Sequence, residues 1–160
     1  GASFALAVEG DLKKDVTIAF PDDWRTDNVE FIVADALALP FRAGIFSSVS
    51  SLNIVDKVPA PLTHLREINR AAKGENTQFL FSDPFSWSPD AAPRENWLGG
   101  SGNGGFPGRA ADNVARLLND RENGFTPSWR IEDQGHVWWK IRTHENHFEL
   151  IRSVFIKAVR

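Results

Sequence analysis

Three apolar runs of this 160-residue chain end in short polar side chains. Asp35 closes VEFIVAD, Asn53 and Asp56 close FSSVSSLNIVD, and Ser82-Asp83 closes TQFLFSD. Such groups are the donors and acceptors that an open α/β sheet offers a small ligand, because ligands bind outside the carboxyl ends of its strands. Each is also an ordinary turn former; recurrence on three successive runs is what points to a pocket. The chain then enters SDPFSWSPDAAPRENWLGG, residues 82–100, within a Gly- and Pro-rich loop over 83–109. That loop carries Trp87, Arg94, Glu95, Asn96 and Trp97. A plain connection does not need tryptophans, and long loops in compact domains are commonly functional or disordered. Two readings stand side by side: the loop holds a ligand, or Trp97-Leu98 plugs it onto the core while Arg94-Glu95 forms a solvated ion pair of little worth.

The elements that must position these residues follow from hydrophobic spacing. Residues 29–35 are predicted as a buried strand, with 36–41 as a turn-like continuation. Residues 46–53 form a second, serine-weakened strand. Pro61 opens a helix with Leu62, Leu65 and Ile68 at helical spacing, stopped at Gly74. Residues 77–82 are a third strand. Residues 110–121 are a second helix, with Val114, Leu117 and Leu118 on one face and Gly124 as its stop. The extended runs 129–142 and 148–160 are expected to pair antiparallel. Trp138-Trp139 alternates, one ring inward and one outward. Strand–helix alternation predicts an α/β fold with a largely parallel sheet, in a single domain over 1–160.

Composition excludes several classes. The net charge of −3 comes with no basic stripe, so no nucleic-acid partner is expected. No apolar run approaches the ~20 residues of a membrane span and no signal peptide opens the chain, so no membrane partner is expected and the cytoplasm is the default location. There is no cysteine, hence no disulfide, thiolate site or Cys nucleophile. His136, His144 and His147 lie at strand-and-turn spacing without a helical His pair, so no metal site is expected. His64 is read as an inert residue on a helix surface.

The runs 29–41, 46–58 and 61–85 resemble, in order, the second half of a class I S-adenosylmethionine-dependent methyltransferase. The run Pro93-Arg94-Glu95-Asn96-Trp97-Leu98-Gly99-Gly100 is similar to the segment after the fifth strand in the mercaptohistidine N-methyltransferase group of ovothiol biosynthesis. GASFALA, residues 1–7, resembles the helix after that family's first glycine motif. VEGDL, residues 8–12, resembles a segment after its second strand, and Ile141-Arg142-Thr143-His144 one before its last strand. The resemblance implies a Rossmann-like methyltransferase sheet, mostly parallel with an antiparallel C-terminal strand pair. The family's first strand and Asp/Glu-x-Gly-x-Gly loop are missing from this chain, where Gly1 alone would stand for the last glycine. A sheet without its first strands has open edges, which predicts poor solubility or a compensating homodimer.

The same resemblance implies S-adenosylmethionine as cofactor, with Gly1, Asp35, Ala36 and Asn53 near it, and a small-molecule acceptor such as a thiolated histidine. Arg94 would clamp the acceptor's carboxylate, Glu95 would pair with its amine, and Trp87 or Trp97 would pack on its ring. Asn96 and Arg142 complete the substrate set. His144 would act as the base that keeps the attacking imidazole nitrogen unprotonated. Methyl transfer is an in-line displacement that needs alignment and exclusion of water. The alternative is a methyltransferase-like binding module that turns nothing over.

Overall fold

The structure is a computed structural model that describes residues 1–102 and 105–160. The chain divides into two compact units, one of residues 34–137 with 152–160 and the other of residues 1–33 with 138–151. The larger unit holds the core. Its parallel pair is β3 (Ser48–Leu52) and β4 (Gln78–Asp83), in register from Ser48 opposite Gln78 to Leu52 opposite Ser82. Parallel neighbours need a crossover, and α1 (Pro61–Ala71) supplies it. Pro61 sits in the first turn, where its missing N–H costs nothing. Pro61, His64, Leu65, Ile68 and Ala71 form the buried stripe, at the spacing of one helix face. α2 (Ala110–Asn119) buries Ala110, Asn113, Val114 and Leu118 in the same way. Phe79, Phe81, Leu98, Phe125, Trp129 and Ile156 fill the space between.

The strands β5 (Arg130–His144) and β6 (His147–Val159) complete a four-stranded sheet in the order β3-β4-β6-β5. β6 runs antiparallel to β4, from Gln78 opposite Val159 to Asp83 opposite Val154. The fold is thus α/β as expected, but the sheet is mixed rather than largely parallel. β3 and β4 are its parallel pair, because the chain reaches β6 from the turn after β5 and not through another helix.

The predicted strand at 29–35 does not form. Phe31 and Val33 stand 96% and 105% exposed, since an apolar run becomes a strand only where a neighbour pairs with its backbone. Asp35 therefore ends no strand. It bridges to Ala38 and accepts the Leu37 N–H at 2.8 Å, closing a local turn. The helix implied for GASFALA is also corrected. Residues Ala2–Glu9 form β1, paired antiparallel with β2 (Leu12–Ile18) in the smaller unit. VEGDL spans the turn of that hairpin, Gly10-Asp11 between the strand ends, with Gly10 at φ +53°. The alternation Ser-Phe-Ala-Leu-Ala-Val has period two, which suits a strand and not a helix. Gly1 heads a strand rather than a helix.

Candidate functional site

The carboxyl ends of β3 and β4 are tied together by a buried acidic pair. Asp83 ends β4 fully buried. Its Oδ2 accepts the N–H of Val55 at 2.9 Å and of Asp56 at 3.4 Å, and its Oδ1 accepts the Phe85 N–H at 2.8 Å. One carboxylate thus fastens the 3₁₀ turn Val55–Lys57 to the start of the loop. Asp56, also fully buried, accepts the Ser86 N–H at 2.8 Å and the Lys57 ammonium at 3.1 Å through Oδ2, while its Oδ1 has no partner. Burial, and then the neighbouring Asp56 charge, push the Asp83 carboxyl up to about 6. Asn53 and Phe85 flank the pair with φ of +58° and +53°. The left-handed region is costly for a bulky residue, so the hydrogen bond from Phe85 to Asp83 holds a strained turn in place. Asn53 accepts hydroxyls from Ser153 at 2.9 Å and Ser82 at 3.5 Å.

From this anchor an aromatic series leads outward. Phe81, Phe85, Trp87 and Trp97 follow one another at ring-centroid distances of 5.9, 6.0 and 5.9 Å, and the Trp87 and Trp97 planes differ by 11°. Trp97 is buried, donates its indole N–H to the Ala92 carbonyl at 2.9 Å, and carries the Arg94 guanidinium 5.2 Å above its ring. Trp87 is half-buried and borders a cavity of about 640 Å³. Phe85, Arg109, Asp112, Gln134, His136 and Val154 form much of the rest of its wall. The cavity lies beyond the carboxyl end of β4, since Phe85 and Trp87 follow Asp83 and Val154 pairs with Asp83. Its volume is in the range of small-molecule sites. A side chain at Gly99 would place its Cβ 2.5 Å from the Ala110 backbone nitrogen. Glycine there lets the loop lie directly against the start of α2.

The expected site residues are distributed unevenly. Trp87 lines the cavity and Trp97 backs it. Arg94, Glu95 and Asn96 are exposed on a short 3₁₀ turn. Asn96 donates to the Pro59 carbonyl at 2.9 Å, and Glu95 and Asn96 border a smaller groove with Pro61, Leu62 and Arg66. Arg142 and His144 belong to the other unit. There Arg142 donates to the carbonyls of His144 and Glu145 at 3.3 and 3.1 Å, and His144 stacks on His147 at 5.4 Å. Arg109 closes the loop that the sequence marked, and His136 was weighed only as a metal ligand; Asp112 and Gln134 carried no signal, because the wall joins the distant segments 109–112 and 134–136.

His64 is corrected: it is buried, not a surface residue. Its Nδ1–H donates to the Ala36 carbonyl at 2.9 Å, so Nε2 accepts the Ser51 hydroxyl at 2.8 Å. Burial holds its pKa below the usual histidine value, against the opposite pull of the Ala36 carbonyl. Its place on the stripe 61, 64, 65, 68 was the available signal.

S-adenosylmethionine is the cofactor that the sequence resemblance implies. Of the four residues assigned to it, Asn53 stands at a strand's carboxyl end. Gly1 heads β1, Asp35 closes a turn, and the Ala36 carbonyl is taken by His64. Gly1 belongs to the smaller unit and Asp35, Ala36 and Asn53 to the larger one, and no chemical step is derived through the cofactor.

No family model matches the chain, and no curated protein matches it. Among solved structures, it is similar to a candidate methyltransferase from Bacillus halodurans C-125, at 13% identity and a TM-score of 0.46, over 81% of this chain and 76% of that one. It is also similar to a structure concerned with conversion of a disulfide bond into a thioacetal group during echinomycin biosynthesis. There the identity is 16%, the TM-score 0.47, and the match covers 81% of this chain. It spans 55% of that protein's length.

Proposed function

We propose that this chain acts as an S-adenosylmethionine-dependent methyltransferase on a small-molecule acceptor, and that the acceptor occupies the cavity beside Trp87. The observation that carries this reading is the position of that cavity, outside the carboxyl end of β4 and walled by the loop that the sequence marked. The resemblance of residues 29–85 supports the choice of donor. The run Pro93 to Gly100 supports a histidine-derived acceptor.

Within the cavity the indole of Trp87 offers a flat face to a planar ring. Arg109 is the guanidinium on the wall and takes the carboxylate-binding role first assigned to Arg94. Asp112 offers a charge partner for an ammonium group. His136 is the imidazole on the wall and the candidate to accept a proton from the acceptor. The buried Asp83 contributes by fixing where the loop leaves the sheet, and so where Trp87 stands.

A second reading is a binding module without turnover. The placement of Gly1 and Asp35 away from any strand's carboxyl end favours it. One experiment separates the two. The protein is incubated with methyl-labelled S-adenosylmethionine and 5-mercaptohistidine, and acceptor binding is followed in parallel by calorimetry. Label appearing on the acceptor supports the methyltransferase. Acceptor binding without transfer selects the module. Neither binding nor transfer removes the thiolated histidine as ligand.

A further inference from the structure

The smaller unit contains a sheet of two strands, β1 and β2, and its outer edges differ. On β1, the Ala7 carbonyl accepts the Glu145 N–H at 2.9 Å, so part of that edge is occupied. β2 pairs with β1 and with no other strand among the described residues. An edge of this kind presents unpaired N–H and C=O groups and is a template for another strand.

The sequence of β2 states which strand fits. Leu12, Lys14, Val16 and Ile18 share one face and Lys13, Asp15 and Thr17 the other, since side chains alternate. Two copies of β2 related by a twofold axis pair antiparallel about a central residue. With Lys14 at the centre, Lys13 of each copy lies opposite Asp15 of the other, and Leu12 lies opposite Val16. Opposite charges and apolar pairs directly across an antiparallel ladder are favourable. The two central Lys14 side chains are each already paired with Glu145 of their own chain, which offsets their mutual repulsion. The neighbouring registers fail this test. Centring on Asp15 sets two carboxylates against each other, and centring on Lys13 sets Asp11 against Asp15. The pairing also closes: an isologous contact uses the same strand twice and leaves no second β2 edge to propagate.

We propose that β2 is a homodimerisation strand, and that two copies of this chain join through it in the register centred on Lys14. Light scattering coupled to size exclusion tests this on the full chain. The wild-type protein is expected at twice the mass of one chain at micromolar concentration. Lys13→Asp sets acid against acid at both ends of the register and is expected to raise the dimer dissociation constant at least tenfold. The double variant Lys13→Asp/Asp15→Lys restores the complementarity and is expected to restore the dimer. Lys13 and Asp15 are exposed, so neither change disturbs a core, and circular dichroism verifies that the variants are folded. A monomeric wild type overturns the proposal. So does a dimer that Lys13→Asp leaves intact, or one that the double variant fails to restore. A complex that forms only with a different protein assigns the edge to that partner and likewise overturns it.

Discussion

Asp83 carries the most distinctive chemistry of any single side chain here. Its carboxyl sits at about 6 in the folded chain against 3.8 for the free group, through burial first and the Asp56 charge second. The folded state therefore holds this proton more tightly than the unfolded state. The stabilisation is full well below pH 3.8 and is lost as pH rises through about 6. Relative to Asp83→Asn, the wild type is expected to lose roughly 2–3 kcal/mol of stability between pH 4 and pH 7. Urea denaturation of both proteins at the two pH values reads this out, and parallel pH profiles would refute the buried proton. His64 acts in the opposite sense, because its folded pKa is lowered. Its contribution is present above pH 6.5 and fades on acidification, so the comparison requires wild type and variant to share it. The strand-end position of Asp83 was legible in TQFLFSD. Its pairing with Asp56 was not, because that depends on how close the Val55–Lys57 turn comes to β4.

At the scale of elements, the loop after β4 is where sequence and structure agree least residue by residue and most in kind. The loop does border a ligand-sized cavity, yet its two tryptophans divide the work. Trp97 is core: it is buried and its indole N–H is satisfied within the loop. Trp97→Ala is expected to cost roughly 3–5 kcal/mol in unfolding free energy. Trp87 faces the cavity, and Trp87→Ala is expected to cost less stability while weakening acceptor binding by about 3–10-fold. Thermal denaturation and calorimetry on the same two variants check this. Equal stability losses with unchanged binding would count against the cavity as the acceptor site. Nothing in SDPFSWSPDAAPRENWLGG distinguishes the two roles, since an indole packs equally well on a core or on a ligand. The helices were easier to read. Leu65 and Ile68 in the first and Val114 and Leu118 in the second are buried as their spacing predicts, while His64 joins the first stripe against expectation.

Across the whole molecule, burial is confined to the larger unit. Every fully buried large side chain, from Trp129 to Val114, lies within residues 34–137 or 152–160. The smaller unit exposes Phe4, Leu12, Ile18, Trp24 and Phe31. A two-stranded hairpin is marginal on its own, so its backbone opens locally far more often than that of β4. Hydrogen exchange on dilute protein is expected to show β1 and β2 amides exchanging at least about a hundredfold faster than those of Phe79 and Phe81. Equal protection in both regions would show that the hairpin shares the core's stability.

The sequence by itself determined the local elements whose patterns admit one solution: the two helices, β3, β4 and the two long terminal strands. It also marked the loop over 83–109 as more than a connection. Those features follow from periodicity, proline and glycine, which act within a few residues. Tertiary structure decided everything that needs a distant partner. Residues 29–35 are apolar enough for a strand but find no ladder to join, and GASFALA pairs as a strand with LKKDVTI. The sheet is mixed because β6 takes the place beside β4, and His64 turns inward because Ser51 and Ala36 meet it there. The cavity wall combines Trp87, Arg109 and His136 from three separate segments. Their proximity is set by packing, which no single stretch of sequence carries.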